Sequence, residues 1–268
     1  MKRTKSENRE GRAETPPTLS LVAWKNTSRL IPSKYSIPDE SVLAKVAPAH
    51  GRLNNIFDLD DVTNDRLLAD LDLAPGISAH ELVASIPYAS IINAAFTHPN
   101  PKGGRVSGPD RHAWYAAKGV KTSLAEVAFH KTVELEEVGW FVNETTYDEY
   151  LADFNGEFHD LRSDSRFSVC LNPDSYVASQ ELAERLLVRG SLGIVYPSVR
   201  HAGGECLVCF RPAMVTNVRK STTYRFRWEG KPRPIIEPIK TLTNEKFISG
   251  KLTRSADHGV IRAIEDGD

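Results

Sequence analysis

Residues 190–210 read GSLGIVYPSVRHAGGECLVCF, and this stretch constrains the chain more than any other. LGIVY and CLVCF are apolar, β-branched runs of the length buried strands use. Two such runs in succession commit the chain to a sheet. Between them, Pro197, Gly203 and Gly204 supply the turn chemistry that a connection requires. Ser198, Arg200 and His201 are not needed for turning. A hydroxyl, a guanidinium and an imidazole within four residues mark this connection as a candidate site.

The 268 residues suffice for one large domain or two small ones, and a formal charge of −1 supplies no basic field for nucleic acid or an anionic membrane. No apolar stretch approaches the roughly 20 residues that a membrane helix needs. The start, MKRTKSENREGRAETPP, lacks the apolar centre of a secretory signal. Three cysteines make no disulfide framework, so the expected compartment is the reducing cytoplasm. Cys206 and Cys209 form a CxxC pair with only Cys170 as a further thiol, and on a strand the pair would face opposite sides. They read as buried small hydrophobes, and no metal site is expected. No GxGxxG is present, which argues against a Rossmann dehydrogenase.

Residues 1–17 read as a disordered lead-in. Residues 54–83 are acidic, with a helical RLLADLDL and a run of Asp that reads as a solvated face. From Ile86 to Tyr115 the text is irregular, with strand-like pieces such as ASIINAAF, and Phe167 to Val177 fits neither helix nor strand clearly. Helices are expected over 122–138 and at SQELAERLLVRG, the latter stopped by Gly190. YRFRWEG, residues 224–230, alternates aromatic and charged residues as a half-exposed strand does. The same interleaving could stack on nucleic acid, but the neutral net charge favours the strand. Strands and helices mix without regular βαβ alternation, which predicts the α+β class.

Five residues carry candidate chemistry. Ser123 followed by Glu126 has the capping-box spacing, which would place the Glu126 carboxylate in the positive end of a helix dipole. His130 lies four residues on, positioned to orient it or simply to sit on the helix surface. Tyr115, in WYAAKG, sits on a strand and needs a partner for its hydroxyl. In PKGGRVSG the glycines leave Arg105 on a flexible, exposed loop suited to a phosphate. Arg29 falls inside the apolar run TSRLIP, where a half-buried cation needs an anionic partner, internal or bound. Ser198 completes the set.

In order, RLIPSKY, AAFTHPNPKGGR, WYAAKGVKTSLAEVAFHK and GIVYPSVRHAGGECLVCFRP closely resemble the RES-domain family, the toxins of Xre–RES toxin–antitoxin pairs. The resemblance runs from about Arg29 to Pro212 and is most specific at the Glu and YPSVRHAGG segments. It implies an ADP-ribosyltransferase-like fold, a central split and twisted sheet flanked by helices, spanning 18–240 as one domain with 241–268 as an extension. It also implies NAD⁺ as substrate rather than cofactor, cleaved by hydrolysis or phosphorolysis so that NAD⁺ depletion arrests growth. Arg29, Arg105, Tyr115 and Ser198 would bind NAD⁺, with Glu126, Tyr115 and Ser198 catalytic and Arg200 and His201 supporting the loop. Val106 departs from the aromatic expected after the loop arginine, which affects the shape of that wall. The implied partner is an Xre-type antitoxin with a helix-turn-helix domain, which would make the DNA contact. Homodimerisation is left open. Two other readings stand beside this one: a mono-ADP-ribosyltransferase that modifies a metabolic protein, and a catalytically silent binding module.

Overall fold

The computed structural model describes residues 15–36, 76–98 and 103–239. The helix expected at RLLADLDL, the extension at 241–268 and all but the last residues of the lead-in lie outside the described residues. Seven strands and three α-helices are described: β1 (Leu19–Pro32), α1 (Ala89–Thr97), β2 (Trp114–Ala117), α2 (Val120–Val138), β3 (Val142–Asp160), α3 (Val177–Val188), β4 (Gly193–Pro197), β5 (Glu205–Cys209), β6 (Thr216–Glu229) and β7 (Ile235–Ile239). This is the α+β arrangement with a central sheet that the sequence predicts.

The sheet runs β1-β2-β5-β4-β3-β6-β7, and β1 also pairs with β3, so the first five strands close into a ring. β6 and β7 continue outward from β3 as a hairpin. Every pairing is antiparallel except the short β3–β4 contact.

The apolar runs of β4 and β5 are continuous because both of their faces are covered. On one face, Trp114, Ala116, Val195, Leu207 and Cys209 pack with Ile91, Ile92 and Phe96 of α1. On the other, Ala117, Ile194, Tyr196, Cys206 and Val208 pack with Leu182, Ala183 and Leu186 of α3. Cys206 and Cys209 therefore lie on opposite sides of β5, each buried in a different core. A third core joins Leu135 of α2 to Tyr147, Phe226 and Trp228. Tyr224 and those two aromatics of β6 face this core, while Arg225 and Arg227 lie on the other face and pair with Glu144 and Glu229. The YRFRWEG stretch is thus an amphipathic strand.

Two local expectations are corrected. ASIINAAF lies in helix α1, not in a strand: Ile91, Ile92, Ala95 and Phe96 are buried at the i, i+1, i+4, i+5 spacing of a single helix face. Helix α2 begins at Val120 with Gly119 as N-cap, and no side chain caps it. The Ser123 hydroxyl instead donates to the Ser28 carbonyl at 2.7 Å, a tertiary tie to β1, so Ser123 and Glu126 form no capping box. Glu126 sits in the second turn, past the reach of the end charges of the helix dipole. Gly190, at φ +78°, stops α3 as expected.

Segment 76–82 is pinned to the sheet by Glu81, which accepts from Arg111 at 2.9 Å and from Arg211 at 2.8 Å. The hydrogen bond from Arg111 is the main reason the Glu81 carboxyl is held down to about 2, with burial opposing it and Arg211 adding to it. The folded-state value lies below the unfolded one, so this stabilisation is complete above about pH 4.5 and is lost as pH falls toward 2. A Glu81→Gln variant should melt below the parent at pH 7. The gap between their melting temperatures should close on acidification; a gap independent of pH would mean that the ion pairs are not its source.

Candidate active site

Glu126 and Ser198 meet directly. Ser198 follows the last residue of β4, and its hydroxyl donates to Glu126 Oε1 at 2.6 Å. The same oxygen atom of Ser198 accepts the backbone N–H groups of Arg200 at 3.1 Å and His201 at 3.0 Å. With its acceptor side occupied by two amides, the hydroxyl has one direction left for its hydrogen, toward the carboxylate. Cys206 Sγ approaches the same Oε1 at 3.8 Å from β5. Burial, with Glu126 adding, pushes the Cys206 thiol up to about 12, so it is a protonated wall and not a thiolate nucleophile. Tyr196, beside it on β4, is pushed well above the ordinary phenol range by burial.

Tyr115 lies on the same face of β2. Its hydroxyl bonds Ser107 Oγ at 2.8 Å and accepts the Val106 N–H at 3.1 Å. The hydroxyl is satisfied and the side chain is half-buried, and desolvation moves the phenol up to about 12 and keeps it neutral. The loop comes this close because residue 104 is glycine: a Cβ there would stand 2.5 Å from the Tyr115 oxygen. Val106, where an aromatic was expected, is itself buried in the core against α3.

Arg105 is not on an exposed loop, which corrects the sequence expectation. It is 7 % exposed, donates to the Asn172 carbonyl at 2.8 Å and stacks over the Tyr176 ring at 4.7 Å. Its backbone carbonyl accepts from Ser179, and Gln180 Nε2 donates to the Gly104 carbonyl at 2.9 Å. The N-terminal part of α3 thus covers the loop. Glycines in sequence signalled freedom; contacts some 70 residues away remove it.

Arg29 projects from β1 to the Tyr115 carbonyl at 3.1 Å, with its guanidinium 4.8 Å from the Trp114 ring centre. Its Nε is buried without a hydrogen-bond partner, and among the described residues no carboxylate pairs with it. Desolvation lowers this group to about 10, so it remains cationic at neutral pH. A desolvated cation held on a carbonyl and an aromatic face is suited to an anionic ligand.

His130 makes no hydrogen bond to Glu126 among the described residues and interacts with it through charge. Desolvation holds the His130 imidazole below its ordinary value; Glu126 opposes this, while Arg200 and Arg105 reinforce it. Arg200 stacks on Phe129 at 3.4 Å and donates to the Pro173 carbonyl at 2.6 Å. His201 bonds Thr122 in the first turn of α2 at 2.8 Å. Sequence reasoning missed Ser107, Thr122 and Tyr196, which are ordinary hydroxyl and phenol residues until the fold gathers them. No cluster among the described residues could hold a metal ion, and no described helix is long and apolar enough to cross a membrane.

The fold thus brings Ser198 onto Glu126, sets Arg29 on the backbone of Tyr115, and holds the loop of Arg105 against the Tyr115 hydroxyl. A family model, the RES domain, matches residues 81–229, more than half of the sequence. The chain belongs to the RES domain family. The matched span contains Arg105, Tyr115, Glu126 and Ser198; Arg29 precedes it. No curated protein matches the chain. Among solved structures, a chain of the M. tuberculosis MbcT-MbcA toxin-antitoxin complex is similar at 13 % identity and a TM-score of 0.41, over 76 % of this chain and 85 % of that one.

Proposed function

We propose that this protein cleaves the nicotinamide N-glycosidic bond of NAD⁺, as a glycohydrolase or phosphorylase of the RES toxin type. The observation that carries this reading is the Ser198–Glu126 pair: a single carboxylate, fixed by a hydroxyl that two amides orient. Nicotinamide leaves as a neutral base, because the electron pair of the breaking C1′–N1 bond neutralises the pyridinium nitrogen. No general acid is needed. The ribose is left as an oxocarbenium-like centre, and a preorganised negative charge beside it lowers the barrier. Ser198 occupies Glu126 Oε1, which leaves Oε2 for the substrate. Arg29 and Arg105 suit the pyrophosphate, and Tyr115, neutral and wedged between β2 and the 104–107 loop, suits the nicotinamide ribose. Water or phosphate then adds its oxygen to C1′ and loses a proton to solvent.

In the cell, such an enzyme acting in the cytoplasm would deplete NAD⁺ and arrest growth. A partner antitoxin with a helix-turn-helix domain would restrain it and carry the DNA contact that this near-neutral chain does not favour.

Incubating purified protein with NAD⁺, with and without phosphate, tests the reading. Free nicotinamide is expected in both, with ADP-ribose as the product without phosphate and the 1-phosphate of ADP-ribose enriched when phosphate is present. Nicotinamide release only on addition of a protein acceptor would make the enzyme a transferase. No release under any condition would leave a silent binding module.

A further inference from the structure

The loop that carries Ser198 is fastened to the helix that carries Glu126 at a second point, and the geometry points to Thr122, His201 and Gly204 as a clamp that sets the Glu126–Ser198 separation. The inference rests on the reading of that pair as the NAD⁺-cleaving centre.

Thr122 is buried in the first turn of α2, one helical turn before Glu126 and on the same side. Its hydroxyl meets His201 Nδ1 at 2.8 Å. His201 is three residues past Ser198, and its backbone N–H is one of the two that hold the Ser198 oxygen. The imidazole thus ties the helix to the amide that aims the serine. The loop closes on itself through Ser198 N–H to the Gly204 carbonyl at 2.8 Å and Gly204 N–H to the His201 carbonyl at 2.9 Å.

Gly204 supplies an independent sign that the contact is built. A Cβ at position 204 would stand 2.5 Å from Thr122 Oγ1 and 2.9 Å from His201 Nδ1, crowding both of the atoms that bond. Only a residue without a side chain leaves the hydrogen bond intact. Gly204 has no positive φ to explain it otherwise.

These three are positioning residues, acting on the reaction through Ser198 and Glu126. A displacement of about 1 Å between reacting groups can cost on the order of 10²-fold in rate, so loosening a clamp one turn away should cost about tenfold. Thr122→Val keeps the shape and removes the hydroxyl; His201→Leu removes the ring nitrogen; Gly204→Ala inserts the wedge. Each should lower kcat about tenfold and leave KM for NAD⁺ unchanged, because the pyrophosphate contacts lie elsewhere. Thr122→Ser, which restores the hydroxyl, should recover the parent kcat. The double variant Thr122→Val/His201→Leu should be no slower than either single change, since both break the same link.

Amide hydrogen exchange at Arg200 and His201 gives a readout that needs no substrate. It should quicken in Thr122→Val and Gly204→Ala relative to the parent and to Thr122→Ser. If the parent releases no nicotinamide, the proposed function falls, and exchange alone still decides the clamp. Unchanged kcat and unchanged exchange in Thr122→Val would overturn it. So would losses that multiply in the double variant, or a change confined to KM.

Discussion

Glu126→Gln should slow nicotinamide release by about 10²-fold or more, the scale of a lost preorganised electrostatic contact, with little change in melting temperature. The two halves of this expectation have separate grounds. The glutamine has nearly the same shape, and its Oε1 can still accept from Ser198, so the packing and the hydrogen bond survive. What disappears is the negative charge that would face the ribose cation. Stability should hold because Glu126 caps nothing: the N-cap is Gly119, and Ser123 spends its hydroxyl on the Ser28 carbonyl. A capping residue would instead show a stability loss of about 0.5–2 kcal/mol with activity retained. Thermal melting and initial-rate assays on one preparation separate the outcomes. A fully active, normally stable variant would remove Glu126 from the mechanism.

That contrast also shows what the sequence makes legible. The β4–β5 core and its polar connection can be read from residues 190–210 alone, because two-sided burial writes itself as unbroken apolar runs. Helix α2 is legible in extent but not at its start. Ser-x-x-Glu is a local signal, and it was outcompeted by a hydrogen bond to Ser28, 95 residues away. Strand β3, VNETTYDEYLADFNGEFHD, is rich in acids and offers no clean alternation. It is a strand because β1, β6 and β4 all pair with it, a cause visible only in three dimensions. The five candidate residues stand out by residue type, and motif resemblance joins them into one set. Composition and periodicity do not distinguish Arg105 from any solvated loop arginine, because its burial is imposed by Asn172, Tyr176, Ser179 and Gln180.

The two arginines should therefore part company when each is changed to Ala. Both should raise KM for NAD⁺, by about 10- to 10²-fold, since a hydrogen bond to a charged group contributes about 1.5–3 kcal/mol. Lys at either position should recover only part, because it cannot bind pyrophosphate as a fork. Stability is where they differ. Arg105→Ala also loses the bond to the Asn172 carbonyl and the stack on Tyr176, so its apo protein should melt lower. Arg29 is desolvated, carries an unpartnered Nε and has no carboxylate beside it among the described residues. Removing that charge relieves a cost of folding, so Arg29→Met, which keeps an apolar stem on the Trp114 ring, should melt no lower than the parent. Adding NAD⁺ should raise the melting temperature of the parent much more than that of Arg29→Met, because ligand binding stabilises in proportion to affinity. An Arg29→Met protein that melts well below the parent, with an unchanged KM, would make this arginine a structural residue and leave the pyrophosphate to Arg105.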